Sequence, residues 1–416
     1  MSDLSQITSR SLTDWLSYLE KKHPVAIDLG LDRVGQVASR MGLTELSMPV
    51  VTVAGTNGKG STCRLLEQLL LSQGYSVGVY SSPHIVDYRE RVRINDKLPD
   101  ADVFCRAFDE IETVRDDVSL TYFEVGTLAA LRLFQQVSPD FVILEVGLGG
   151  RLDATNIIDA DVAIVTTVAL DHVEYLGHDL QAIGREKAGI FRSHGRAVIG
   201  DPNIVSSVYA EAEKLNCNLL ANGYQVKARI DSNHSSWDYI GQKSSFHHLP
   251  IPHLPVDNAV ASLAALEHLN IELDEKLVQS VIANWQLSGR MQLLEQRPEV
   301  FVDVAHNPQS AEYLATQLRC LPKKDHTFAV CAMLIDKDNQ GSVEFLKNYF
   351  DQWFIAGLDG PRGDNGDKLA NALSDQPYQR YPSVHDAYLA ARQLAHESDR
   401  IIVFGSFLTV AQVLAL

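Results

Sequence analysis

Basic runs are absent from this chain of 416 residues, whose formal net charge at pH 7 is -17. With no basic run to neutralise a phosphate backbone, nucleic acid is not expected as a partner. Long apolar runs are absent too. None approaches the roughly 20 residues of a membrane-spanning helix, so no membrane partner is expected. Cysteine is scarce and scattered, at Cys63, Cys105, Cys217, Cys320 and Cys331. An odd set with no C-x-x-C pair fits neither a disulfide framework nor a zinc site. The opening residues, MSDLSQITSRSLTDW, lack the charged-then-apolar pattern of a signal peptide, and a cytoplasmic location is the expectation. An acidic chain can still bind anions, provided the site is built from local cations and helix N-termini.

Hydrophobic residues make up 45% and charged residues 21%, as in an ordinary soluble globular protein. The length exceeds what one core organises, so two or three domains are expected. From Pro49 onward, short apolar runs alternate with helical patterns. Val50–Ala54, Val77–Tyr80, Phe141–Val146, Val162–Val168 and Ala197–Gly200 read as strands covered on both faces of a parallel sheet. Thr62–Gln73 reads as a helix stopped by Gly74. Gln225–Leu254, rich in Ser, His, Gly and Pro, reads as a small antiparallel appendage, and Val256–Leu269 as a helix. A second alternation follows, with strands at Phe301–Ala305, Thr327–Met333, Trp353–Gly357 and Ile401–Phe404.

The strongest local signal is VVTVAGTNGKGS, Val50 to Ser61. A buried strand runs into Gly55, Gly58 and Gly60 and then into a helix. Glycines let backbone N–H groups turn toward a polyphosphate, Lys59 adds a mobile positive charge, and the helix N-terminus adds its dipole. Ser61 or Thr62 could cap the helix or touch a metal. The spacing departs from G-x-x-x-x-G-K-[ST], and the bland alternative is a Gly-rich turn with an exposed lysine. The strand before and the helix after favour ATP. The expected fold class is therefore α/β: a P-loop, doubly wound N-terminal domain with a small antiparallel appendage (residues 1–288), then a smaller Rossmann-like α/β domain (residues 289–416).

Other polar clusters fall at strand ends, where α/β sheets bind ligands. SSPHIVDYRERVRIN carries Arg89, Arg91 and Arg93 and reads as an anion-facing lid, against the alternative of a solvated basic loop. ILEVGLGGRLDATN puts Glu145 at the end of an apolar strand, where a carboxylate is costly unless paired or bound to a cation. Mg²⁺, held by one or two protein oxygens plus phosphates, is the economical partner; a buried Lys or Arg is the other. Asp171 and His172 follow the next strand, and a nitrogen donor there is unusual for Mg²⁺. Lys187 reads, from chemistry alone, as a surface cation. In FVDVAHNPQSAEYL, Asn307 and Pro308 are N-cap and N1 of a helix, and Asp303 is either a turn residue or ligand-facing.

GTNGKGS, SSPHIVDYRERVRIN, TYFEVGTLAAL, EVGLGGRLDATN, DHVEYLG, EKAGIF, SGRM and DVAHNP occur in that order. Together they resemble the Mur ligase superfamily and, within it, the folylpolyglutamate synthases. AIDLGLDRV, from Ala26 to Val34, resembles the dihydropteroate site of the bifunctional bacterial members. The resemblance implies that Asn57, Gly58, Lys59, Gly60 and Ser61 hold ATP phosphates, and that Asn258, Arg290, Asp303 and His306 also contact the nucleotide. It implies Ser82, Glu145 and His172 as Mg²⁺ ligands, in two sites, with Lys187 carbamylated into an oxygen donor. Lys59, Lys187 and His172 are then the candidate catalytic residues. Asp28, Leu29, Gly30, Thr121, Tyr122, Phe123, Glu124, Leu152, Asp153 and Ala154 match pterin-site positions. Ser288 stands where relatives often have Pro, which bears on hinge stiffness.

The implied reaction joins L-glutamate to 7,8-dihydropteroate and to tetrahydrofolates through an acyl-phosphate, with ATP consumed. The C-terminal domain is expected to bind glutamate and close on ATP, and the protein to act as a monomer. Two readings compete: a Mur-type amino-acid ligase acting on a cell-wall precursor, and a non-enzymatic nucleotide switch. The first would be favoured by an N-terminal uridine-nucleotide domain, for which only about 48 residues precede the first strand. The second would need no buried Glu, His and Lys series.

Overall fold

The computed structural model describes residues 10–23, 25 and 27–416. Ala26, the first residue of the pterin-like segment, lies outside them. Two compact units emerge. One comprises residues 1–82, 89–168 and 176–285; the other comprises 83–88, 169–175 and 286–416.

The first unit is built on a seven-stranded sheet of β1 (Val50–Ala54), β2 (Val77–Tyr80), β3 (Val92–Ile94), β4 (Phe141–Glu145), β5 (Val162–Val165), β6 (Arg196–Ile199) and β7 (Asn218–Ala221). Their order is β3-β2-β4-β1-β5-β6-β7, and every pairing is parallel except that of β2 with β3. The central strands β1, β4 and β5 are wholly buried, which is why they are apolar at every position rather than alternating. A three-stranded antiparallel sheet, β8 (Lys227–Ile230), β9 (Ser236–Ile240) and β10 (Ser245–Pro250), forms the appendage.

The helices that matter to the site are α1 (Leu12–Lys22), α2 (Asp32–Met41), α3 (Lys59–Ser72), α4 (Ala101–Val114), α5 (Tyr122–Val137), the short α6 (Val173–Leu176), α7 (Leu180–Ala188), α8 (Ser206–Lys214) and α9 (Val256–His268). Gly74, at φ +87°, ends α3, since a left-handed residue releases the last carbonyls from the helix. Thr121 and Glu124 close a capping box at the start of α5.

The second unit holds a six-stranded sheet of β11 (Gln292–Gln296), β12 (Glu299–Val302), β13 (Thr327–Cys331), β14 (Gln352–Ala356), β15 (Tyr378–Tyr381) and β16 (Arg400–Phe404), in the order β11-β12-β16-β13-β14-β15. Only β11 runs antiparallel to its neighbour. Its two faces are covered by separate apolar clusters, one around Leu314, Trp353 and Phe404, the other around Val302, Phe354 and Val403. Both units are thus α/β with mixed sheets. Among the described residues, no helix is long and apolar enough to cross a membrane.

Several expected strands end early for a local reason. β5 stops at Val165 because Thr166 and Thr167 turn their hydroxyls onto the Asn57 carbonyl, at 2.7 and 3.1 Å. The end of the segment read as an anion-facing lid joins the sheet: residues 92–94 form β3. Arg93 there is turned inward, with Nε 3.0 Å from Glu67 Oε2 and Nη1 3.1 Å from Ser81 Oγ. Glu67 is fully buried on α3, and an unpaired carboxylate there would be costly, so Arg93 serves the fold.

Candidate active site

The first cluster forms where β1 delivers the chain into the glycine-rich loop. Gly55 passes so close to β5 that a Cβ would stand 1.8 Å from Thr166 Oγ1. Gly58 has φ +88°, and a Cβ there would meet Asn258 Oδ1 at 2.5 Å. Only glycine satisfies both demands. Lys59 folds its ammonium back to the carbonyls of Gly55 (2.9 Å) and Thr56 (3.0 Å), so the loop carries its cation inside its own curve. Asn258, from α9, is 3% exposed and donates to Ser61 Oγ at 3.4 Å. Asn57, Gly58, Lys59, Gly60, Ser61 and Asn258 therefore come together although Asn258 is remote in sequence.

The second cluster stands one strand over. Glu145 ends β4 in register with Val53 of β1, one residue before the loop's strand ends. It is 5% exposed, and Ser82 donates its backbone N–H to Glu145 Oε2 at 3.2 Å. Lys187 is 4% exposed, so it is no surface cation. Its place is set by the loop after β4: Arg151 donates its backbone N–H to the Glu186 carbonyl at 2.8 Å. At Gly150 a Cβ would stand 2.7 Å from the Glu186 carbonyl and 2.8 Å from that of Lys187, so the loop lies flat on the end of α7. His172, at φ +50°, belongs to the 169–175 segment of the second unit, whereas Ser82, Glu145 and Lys187 belong to the first. Among the described residues, no group of three or more His, Cys, Asp or Glu is poised as a metal cage. Ser82 and Glu145 offer hard oxygen donors, which suits a small cation that also takes phosphate oxygens.

The third cluster gathers the pterin-like positions. Asp153 is buried and accepts from Gly147 N (3.0 Å), Leu148 N (2.9 Å), Thr155 N (3.0 Å) and Thr155 Oγ1 (2.7 Å). Burial still leaves its carboxyl above the usual range. It thereby shapes the loop bearing Leu152 and Ala154. Phe123 packs against that loop, because a Cβ on Gly147 would be 2.5 Å from its ring, and lies 5.8 Å from the Tyr80 ring. Tyr122 lies under the Arg91 guanidinium at 5.4 Å, and burial first of all pushes its phenol up to about 12. Asp28 reaches α5 through a residue that sequence reasoning passed over. Arg33 Nη1 is 2.8 Å from Asp28 Oδ2, and Nη2 is 3.2 Å from Glu124 Oε1.

In the second unit, Asp303 accepts from Met291 N (2.9 Å) and Ala305 N (2.8 Å), and burial raises its pKa. These bonds fix the backbone on either side of Arg290 and His306. Arg290 lies over the Phe407 ring at 5.4 Å, and the His306 ring stands 6.1 Å from it. His306 Nε2 is 3.4 Å from Asp171 Oδ2, and Asn307 Nδ2 donates to the same oxygen at 3.1 Å. Asp171 Oδ1 pairs with Lys337 and accepts from His172 N at 2.8 Å. Phe407 and Lys337 were not singled out from the sequence. Lys337 lies in the loop between β13 and the next helix, and Phe407 opens the helix after β16, and neither carries a motif of its own.

Comparison with known proteins fits this arrangement. Residues 53–266 match the Mur ligase middle domain and residues 289–407 the Mur ligase, glutamate ligase domain. The dihydrofolate synthase/folylpolyglutamate synthase of Escherichia coli (strain K12) is 47% identical over 97% of this chain and 94% of its own length. That of Haemophilus influenzae is 41% identical over 100% of both chains. A structure of Escherichia coli FolC in complex with DHPP and ADP is similar at TM-score 0.94 and 46% identity, covering 99% of this chain and 98% of that one. A bifunctional folylpolyglutamate synthase/dihydrofolate synthase with Mn, AMPPNP and L-glutamate bound is similar at TM-score 0.92 and 43% identity, covering 99% of each. On a match this long and identities this high, the chain belongs to the Mur ligase family and, within it, to the dihydrofolate synthase/folylpolyglutamate synthases.

Proposed function

We propose that this chain is an ATP-dependent carboxylate–amine ligase that adds L-glutamate to 7,8-dihydropteroate, forming dihydrofolate, and to tetrahydrofolates, forming polyglutamates. The observation that carries the reading is Glu145, a buried carboxylate one strand from a loop that folds Lys59 into its own curve. A nucleotide switch needs the loop but not the carboxylate. A cell-wall ligase is not favoured, because relatives matching nearly the whole chain are folate enzymes by name.

A substrate carboxylate oxygen attacks the γ-phosphorus of ATP, the bond to the bridging oxygen breaks, and ADP leaves. Lys59 and the N-terminus of α3 offset the charge on the transferring group. The amine of glutamate then attacks the acyl carbon, loses a proton, and expels phosphate with the former carboxylate oxygen. Ser82, Glu145 and His172 are the residues that would hold Mg²⁺, in two sites with a carbamylated Lys187 as a further oxygen donor. Bound there, the cation supplies charge neutralisation to the polyphosphate. Asn57, Gly58, Gly60, Ser61 and Asn258 take the phosphates, and Arg290, Asp303 and His306 have nucleotide-contacting roles. Asp28, Leu29, Gly30, residues 121–124 and residues 152–154 form the pterin site. Residues 1–288 and 289–416 are read as the two functional domains, and the protein acts as a cytoplasmic monomer.

The test is ADP release by purified protein. Dihydropteroate plus glutamate, and separately tetrahydrofolate plus glutamate, are expected to stimulate it. If neither does, the folate reading is wrong.

A further inference from the structure

Arg33 lies at the start of α2, four residues beyond Leu29, and bridges two segments that do not otherwise share a charge. Its Nη1 is 2.8 Å from the Asp28 carboxylate, and its Nη2 donates to the Asp28 carbonyl at 2.6 Å. The same Nη2 is 3.2 Å from Glu124 Oε1. The other oxygen of Glu124 accepts from Thr121 N at 2.7 Å, closing the cap of α5. One guanidinium therefore sets both the turn at residues 28–30 and the first turn of α5, which presents Phe123 to the Gly147 loop.

The pair is not saturated. Arg33 Nε is buried with no hydrogen-bond partner among the described residues, and Glu124 Oε1, also buried, is met by Arg33 Nη2 through the ion pair. A buried donor left this way is costly unless a ligand edge satisfies it, and the second lone pair of Glu124 Oε1 can still accept. A pterin ring offers such an edge, with an amino and a ring N–H beside a carbonyl. Lysine at position 33 could supply the charge but not the planar fork that reaches two carboxylates.

We infer that Arg33 is a positioning residue that holds Asp28–Gly30 against the N-terminus of α5 and so sets the affinity for the pterin of dihydropteroate. The inference rests on the dihydropteroate reading of the site. The experiment is steady-state ADP release by the full chain, with dihydropteroate, ATP and glutamate each varied in turn. Arg33→Gln is expected to raise the KM for dihydropteroate at least tenfold, with the KM values for ATP and glutamate within twofold. Arg33→Lys should recover part of the loss. Combining Arg33→Gln with Glu124→Gln should cost no more than the worse single change, because both remove one link.

An unchanged KM for dihydropteroate in Arg33→Gln overturns the inference. So does an equal fall of kcat with every KM unmoved, which would mark a purely structural role. If Arg33→Gln does not fold, Arg33→Lys decides, and an unchanged KM there overturns the inference as well. Absence of any turnover of dihydropteroate by the unsubstituted protein would instead overturn the underlying reading.

Discussion

Asp171 and Lys337 form a buried ion pair across 166 residues of sequence, and the same carboxylate also receives Asn307 and lies beside His306. Burial alone would push the Asp171 carboxyl up. The hydrogen bond and charge of His306, then Lys337 and His172, more than offset that and hold it well below the usual range. Removing one partner of such a pair costs about 3–5 kcal/mol, because the other charge is left buried. Lys337→Met is therefore expected to lower the thermal midpoint of the unit that carries it. Asp171→Asn combined with Lys337→Met should destabilise less than the two single losses added together. Differential scanning calorimetry of the three variants measures both.

Gly58 and Gly74 have nearly the same backbone, at φ +88° and +87°, but different surroundings. A Cβ on Gly74 meets nothing within 4 Å, whereas one on Gly58 runs into Asn258. Gly74→Ala should cost about 1 kcal/mol of stability and leave the KM for ATP alone. Gly58→Ala should raise that KM at least tenfold. Denaturant titration and ATP-dependent ADP release separate the two effects.

His268 closes α9 in the core of the first unit, with Nε2 3.2 Å from the Ala197 carbonyl. Burial, above all, holds its imidazole down to about 4. The unfolded chain, with a histidine near 6.5, binds more protons between those values, so stability rises with pH through that window. It is lost as pH falls from about 6.5 to 4, by at most about 3 kcal/mol. His268→Gln should flatten the urea midpoint across this range. A midpoint that still falls as steeply would show that another group titrates.

Lys187 is enclosed at the end of α7, beneath the loop that Gly150 allows to lie flat. If it serves as a carbamate, Lys187→Ala should lose at least a hundredfold in kcat, and acetate or propionate should restore a measurable part. Lys187→Arg, permanently charged, should be as inactive as the alanine variant and show no rescue. Activity measured against carboxylate concentration gives the answer.

The contrast between Asn307 and Lys337 shows what was legible in advance. Asn307–Pro308 carries its own signal, an N-cap followed by the residue best suited to N1, and the helix begins there. The buried strands β1, β4, β5 and β16 were legible because both faces are covered. Edge strands β3, β7, β11 and β15 were not, since a strand with an exposed side lacks a continuous apolar run. The phosphate loop was likewise local. Lys337, Arg33 and Phe407 have meaning only through partners that folding brings to them. Arg93 makes the same point in reverse: beside two other arginines it reads as anion-facing, until Glu67 on α3 claims it.

On the proposed route, a substrate carboxylate oxygen passes to phosphate on the way to the amide. Dihydropteroate labelled with ¹⁸O in both carboxylate oxygens, turned over with ATP and glutamate, tests it most directly. One labelled oxygen is expected in each inorganic phosphate released and one in the amide carbonyl, read by mass spectrometry. Unlabelled phosphate, with amide formed at the same rate, would contradict it.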